Sequence, residues 1–170
     1  MKALLLLILI FHVLALCGRA QTTGDPIPEV SAKPFNLAIT DWNHASLIFK
    51  GTFLYVMSET HVKVFNVPAF EQQKHLLYSK KISKLTRSVI DLSNLNLDSL
   101  NDFYINNCIM ITSGEEYSVT YKNETSHKSI NLHHYYLKQI QHIIELFNEN
   151  LPEKFKIKYL TQETKQDCIL

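Results

Sequence analysis

Apolar, β-branched and aromatic residues of this chain cluster in six short runs, and several runs alternate them with polar residues at a period of two. Turn residues such as Gly51 and the pair Ser113 and Gly114 separate neighbouring runs, as is typical of antiparallel meanders. The pattern therefore predicts two three-stranded meanders, with strands over 45–50, 52–57 and 61–67 in the first and over 108–112, 117–122 and 128–132 in the second.

A helical period replaces the strand pattern over Leu132 to Leu151, where apolar residues recur every three or four positions. On a helical wheel centred on Ile140, the side chains of Ile143 and Phe147 fall on the same side, so this side is predicted to be buried. Asn131 is a suitable N-cap for such a helix. The pattern predicts one long amphipathic helix.

Three weaker patterns complete the predicted fold. Residues 154–160 alternate lysine with apolar side chains, which predicts a last strand at a charged sheet edge. Short helices are predicted near 72–77 and over 100–107, the second capped by Asp98 or Ser99. Together the elements predict an α+β fold: an antiparallel sheet built from two meanders plus the C-terminal strand, with one long amphipathic helix packed on one face.

The N-terminal residues 1–20 have the features of a secretory signal peptide. An apolar run over 3–16 follows an early lysine, and Gly18 and Ala20 supply the small side chains of a cleavage site. The run is shorter than the roughly 18 to 20 apolar residues that a bilayer span needs, and no other stretch is long and apolar enough. We therefore predict cleavage near Ala20 and a secreted or periplasmic protein without a transmembrane segment.

Lipid anchoring at Cys17 is the alternative fate of the N-terminus, and Leu16 disfavours it because that position normally holds a small residue. Removing 20 of the 170 residues leaves 150, the size of one domain. Residues 21–34 carry Gly24 and three prolines with no apolar period and are predicted to form an extended leader. Residues 35–170 are predicted to form a single α+β domain.

Charge and glycine content exclude several functional classes. The formal charge is +1, from 17 basic and 16 acidic residues, so no strong field attracts nucleic acid. Only four glycines are present, and they form neither a phosphate-binding loop nor the G-x-S-x-G turn of a hydrolase serine. Nucleic-acid binding and phosphate-loop chemistry are therefore not expected.

The histidines near the predicted long helix are the first candidates for a chemical site. Because His134 and His142 are eight residues apart, they would lie roughly 12 Å apart along a helix, and one ion could not bind both. A helical zinc site needs a spacing of four, whereas His142 and Glu145 are three apart. A surface contact is the favoured interpretation, and a ligand or catalytic pair completed from another segment is the alternative. No metal and no cofactor are predicted.

A second candidate site is the run that contains Asp41, Trp42 and His44, since these residue types can supply a base and a stacking surface in a pocket. The same run also suits an ordinary strand start. Cys108 and Cys168 would remain after signal removal, and an oxidising compartment would allow a disulfide between them. A buried free thiol at Cys108 is the alternative.

The signal ending "CGRAQ", the run "KSINL" and the segment "YYLKQIQHIIELFNENLPEKFKIKY" together resemble small uncharacterised exported proteins of Bacteroidota-like bacteria. The resemblance covers the signal and about the C-terminal third, and it implies an envelope or secreted location without any catalytic residue. We expect an exported, non-enzymatic module that binds a protein or small ligand in the cell envelope. The alternative is a secreted hydrolase with a histidine-based site at His44 or His134.

Overall fold

The computed structural model describes residues 30–42, 52–68, 73–108 and 116–160. These ranges contain seven strands, two α-helices and one 3-10 turn. In chain order they are β1 (Phe35–Asp41), β2 (Thr52–Ser58), β3 (His61–Val67), β4 (His75–Lys81), α1 (Arg87–Ser93), β5 (Phe103–Ile105), β6 (Glu116–Asn123), β7 (His127–His133), α2 (Lys138–Asn148) and the 3-10 turn Glu153–Phe155.

All seven strands belong to one sheet, in the order β4-β3-β2-β1-β6-β7-β5. Strand β1 lies at its centre and pairs antiparallel with β2 and β6. Phe35, Leu37 and Ile39 alternate with more polar neighbours along β1 and are buried, as a strand with one covered face requires. The sheet therefore has one apolar face and one more polar face.

Both helices cover the apolar face. The ring of Phe147 on α2 contacts that of Tyr55 edge-on, with centroids 6.3 Å apart. The hydroxyl of Tyr121 donates to the carbonyl of Ser93 at the end of α1. Tyr55 and Tyr121 pair with Ile39 and Leu37 of β1, so both rings project from the same face. We call the opposite side of the sheet the outer face.

The sheet corrects the predicted fold class. The prediction of a purely antiparallel sheet is wrong, because β5 pairs parallel with β7 and the sheet is mixed. The prediction of one long helix is also wrong, since the described chain has two short helices of 7 and 11 residues. Parallel pairing joins segments that are distant in sequence, so the local residue pattern does not reveal it.

The predicted helix over Leu132 to Leu151 starts late because its first residues belong to the sheet. Leu132 is buried in β7 opposite Tyr117, and Asn131 is a strand residue rather than an N-cap. His134 then adopts a left-handed conformation with φ 50°, which interrupts any continuous helix. Helix α2 starts only at Lys138, and it buries the apolar side centred on Ile140.

The predicted C-terminal strand does not form within residues 154–160, which contain the end of the 3-10 turn and a segment without regular secondary structure. The side-chain amide of Asn148 donates to the carbonyl of Ile157 and accepts from its N–H, both at 2.9 Å. The Tyr117 hydroxyl donates to the carbonyl of Lys158. Side chains thus satisfy backbone groups that a neighbouring strand would otherwise bond.

Three other elements differ from the prediction. The proposed helix near 72–77 overlaps β4, and the proposed helix over 100–107 contains β5. Strand β1 was not predicted. The signal peptide over 1–20 and the strand over 45–50 lie outside the described residues, as does most of the strand over 108–112. Within the part of the chain that the structure describes, no helix is long and apolar enough to cross a membrane.

Candidate functional site

Two adjacent rows of side chains cross the outer face of the sheet from β1 to β5. Strand register aligns the residues of each row, and partners in a row project from the same face. The first row is Trp42, Glu116, His133 and Ile105, and the second is Thr40, Ser118, Asn131 and Phe103. Each row therefore has polar groups at its centre.

A groove of about 540 Å³ lies over these rows. Its walls are the apolar side chains of Trp42 on one side and of Phe103 and Ile105 on the other, and its floor is polar. The walls are 44%, 60% and 47% exposed, respectively. Exposed aromatic and aliphatic groups that face one concavity are unusual for a free surface and are typical of ligand sites. We call this concavity the sheet groove.

Hydrogen bonds fix the groups on the floor of the sheet groove. Ser118 Oγ donates to Asn131 Oδ1 at 2.6 Å, and Trp42 Nε1 lies 3.5 Å from Ser118 Oγ. The Asn131 amide nitrogen makes no hydrogen bond to another described side chain or backbone group, so it remains a donor for a ligand. The Ser118 and Asn131 pair thereby orients one donor within the groove.

His133 and Glu116 form the ionisable part of the floor. The Nδ1 atom of His133 lies 2.8 Å from a carboxylate oxygen of Glu116, and both side chains are partly exposed. A carboxylate on one ring nitrogen sets the ring orientation and leaves Nε2 for another partner. Ser118 donates to Asn131 rather than to His133, so the floor lacks the serine and base contact of a hydrolase.

The structure separates Asp41 from Trp42, although they are adjacent in sequence. Asp41 is 3% exposed and lies at the end of β1 on the helix-covered face. Burial, followed by the negative charge of Asp41, raises the pKa of the Tyr55 hydroxyl. Trp42 projects to the outer face and lines the sheet groove. His44, the third residue of this predicted site, lies outside the described residues, so the pocket prediction is not tested.

His134 lies beside the sheet groove rather than in its lining. Its ring contacts that of His133 edge-on, with centroids 4.7 Å apart. Its Nε2 atom is buried and has no hydrogen-bond partner among the described residues. A left-handed backbone and an unsatisfied buried nitrogen both cost free energy, so His134 occupies a locally strained position.

His142 and Glu145 lie on the exposed side of α2. Their closest nitrogen and oxygen atoms are 4.0 Å apart, and Gln141 donates to the same carboxylate. His134 packs against His133 with a buried Nε2 atom, whereas His142 is exposed on α2, so the described residues build no common site from the two histidines. Across the described ranges, no group of three histidine, cysteine or acidic residues could hold a metal ion.

Cys108, which follows β5, is disulfide-bonded. Its partner lies outside the described residues, so the predicted pairing with Cys168 stays a prediction. The free-thiol alternative for Cys108 is wrong.

Sequence reasoning missed most of the sheet groove because it assigned part of β7 to a helix. Because β7 is a strand, Asn131 and His133, which are two positions apart, project from the same face. Strand β6 shows Glu116 and Ser118 at the same spacing. The predicted alternation over 117–122 puts Ser118 opposite to Tyr117 and was a usable signal for Ser118, whereas Glu116 lies just outside that run.

Comparison of the chain with protein-family models, with curated proteins and with solved structures finds no match. The interpretation of the sheet groove therefore depends on its own geometry and chemistry.

Proposed function

We propose that this chain is an exported, non-enzymatic binding protein whose sheet groove holds a small ligand. The observation that supports this proposal is the groove itself. Its volume of about 540 Å³ falls in the range of small-molecule sites, and its apolar walls flank a few oriented polar groups. The apolar walls of such a site bind the faces of a ring-containing ligand, and the polar groups hold the edge of the ligand.

A binding role fits the floor better than catalysis does. A nucleophilic hydrolase needs its nucleophile within hydrogen-bond reach of a base. In the sheet groove the hydroxyl of Ser118 is used by Asn131, and the carboxylate of Glu116 is used by His133. The Ser118 hydroxyl and the Glu116 carboxylate are thus held by neighbours, while the Asn131 amide nitrogen and His133 Nε2 are left for a ligand, as in a preorganised recognition surface.

Nuclear magnetic resonance tests the proposal directly because Trp42 is the only tryptophan in the chain. Neutral, ring-containing fragments should shift the indole N–H signal of Trp42 and the amide signals of Asn131 and His133. Trp42→Ala lacks the indole signal, and in this variant the Asn131 and His133 amide signals should no longer shift. The matched control is Leu77→Ala, since Leu77 is 44% exposed like Trp42 but lies on β4 at the far edge of the sheet. Fragments that shift only signals outside the groove would refute the proposal.

Export is tested separately by the intact mass of the protein after secretion by a host cell. A chain that begins at Gln21 supports cleavage after Ala20. An acylated chain that begins at Cys17 would instead support lipid anchoring, and a full-length chain would argue against export.

A secreted hydrolase is the second candidate, favoured by the His133 and Glu116 pair. The carboxylate orients the imidazole so that Nε2 is left as a possible base, and the pair lies in a concavity. This candidate places the catalytic histidine at His133, whereas the sequence predicted His44 or His134. Hydrolysis of simple esters or amides that is lost in His133→Asn would support this candidate, and the absence of turnover by the unmodified protein would eliminate it for these substrates.

A further inference from the structure

We infer that the ligand of the sheet groove is a neutral saccharide, held by ring stacking on its walls and by hydroxyl contacts to its floor. The inference rests on the proposed binding function and specifies the class of ligand. Three properties of the groove support it: its charge, the spacing of its walls and the chemistry of its floor.

The charge of the groove disfavours anionic ligands. Among the lining residues that the structure describes there is no lysine or arginine, and the one acidic group, Glu116, contacts His133. Phosphates, carboxylates and single-stranded nucleic acid depend on cationic partners, which this lining does not supply. The ligand is therefore expected to carry no net negative charge.

The walls are spaced for a small number of rings. Trp42 follows β1 and Phe103 lies on β5, so three strand spacings of about 4.8 Å separate them, or roughly 14 Å between backbones. The side chains themselves occupy part of this width. One or two sugar rings fit the remaining space, and an apolar ring face can lie against each exposed aromatic group.

The floor requires a ligand rich in hydrogen-bonding groups. The Asn131 amide nitrogen and the Nε2 atom of His133 have no partner among the described residues, and the Ser118 hydroxyl contacts both Asn131 and Trp42. A purely apolar ligand would remove these groups from water without replacing their hydrogen bonds. A sugar ring combines a C–H face for the aromatic walls with hydroxyls at its edge that both donate and accept, which suits this mixture of wall and floor.

Titration with neutral disaccharides tests the inference. Maltose, cellobiose and diacetylchitobiose are the probes, the intrinsic fluorescence of Trp42 is the signal, and calorimetry gives the dissociation constant. We expect saturable binding of at least one probe with a dissociation constant of about 1 mM or tighter. Phe103→Ala and Asn131→Ala should each weaken that binding at least tenfold. Leu76→Ala is the matched control, since Leu76 is 57% exposed against 60% for Phe103 but lies on β4.

The outcomes separate the ligand class from the binding function. If neutral ring fragments bind the groove and no disaccharide does, the saccharide inference is wrong and the proposed function stands. If neither fragments nor disaccharides bind, both are wrong. Binding of adenosine in place of any disaccharide would overturn the inference in favour of base stacking. A disaccharide whose affinity is unchanged in Phe103→Ala binds elsewhere, which also contradicts it.

Discussion

Phe147→Ala is the change that tests the core most directly. The ring is fully buried on α2 and contacts Tyr55 edge-on across the interface between helix and sheet. Truncating a buried phenylalanine typically costs about 3 to 5 kcal/mol, because apolar contact is lost and a cavity remains. Against a total stability of about 5 to 15 kcal/mol, this loss is large. It corresponds to a melting temperature lower by roughly 6 to 20 °C for a domain of this size.

Thermal melts followed by circular dichroism would measure the effect, with urea unfolding to give the free energy. The control is His142→Ala on the exposed side of the same helix, which should change stability by no more than about 0.5 kcal/mol. If Phe147→Ala costs less than about 1 kcal/mol, α2 does not cover the apolar face of the sheet. If His142→Ala destabilises as strongly, the exposed side of α2 must be buried against another segment.

Asn148, the backbone at His134 and three buried tyrosines each allow a further prediction. Asn148→Ala should lower the free energy of unfolding by about 1 to 3 kcal/mol and speed hydrogen exchange at the Ile157 amide, since both hydrogen bonds to Ile157 are lost. Unchanged exchange would show that Asn148 does not hold this segment. His134→Asn should leave the free energy of unfolding within about 0.5 kcal/mol of its original value, whereas His134→Val should lower it by about 1 to 2 kcal/mol, because a β-branched residue tolerates φ 50° poorly. Equal urea midpoints for the two variants would show that the backbone at this position is not strained. Burial raises the pKa of Tyr55, Tyr121 and Tyr159 above 10.0, so the stability that their neutral hydroxyls contribute is fully present below that pH and is lost as the pH rises above it. Urea unfolding from about pH 8 to about pH 11 should show this fall in the free energy of unfolding, and a flat profile would contradict it.

Local patterns predicted the strands whose partners are close in sequence. The runs over 52–57, 61–67, 117–122 and 128–132 correspond to β2, β3, β6 and β7, respectively. In each, alternation between a covered and a less covered face leaves a period of two in the sequence. The inward residues of β6, Tyr117 and Tyr121, are buried as the alternation predicts.

Elements with a distant partner, or with little of their length covered, were not predicted. Strand β5 has only three residues, and its pairing with β7 bridges a long stretch of sequence. Strand β4 is exposed along almost its whole length at the sheet edge, so it carries little of the apolar pattern that marks a strand. Propensity is weak evidence in such segments, because tertiary contacts decide their conformation.

The boundary between β7 and α2 decides both the fold and the candidate site. In a helix that starts near Leu132, His133 would share the apolar side and Asn131 would serve as a cap. Because Ile130 and Leu132 are buried in the sheet, the alternate residues Asn131 and His133 must project from the outer face, beside Ser118 and Glu116. A shift of one residue in the register of β7 would place Asn131 and His133 on the covered face and Ile130 and Leu132 on the outer face. The burial of two aliphatic side chains on one face therefore supplies the polar floor of the sheet groove on the other.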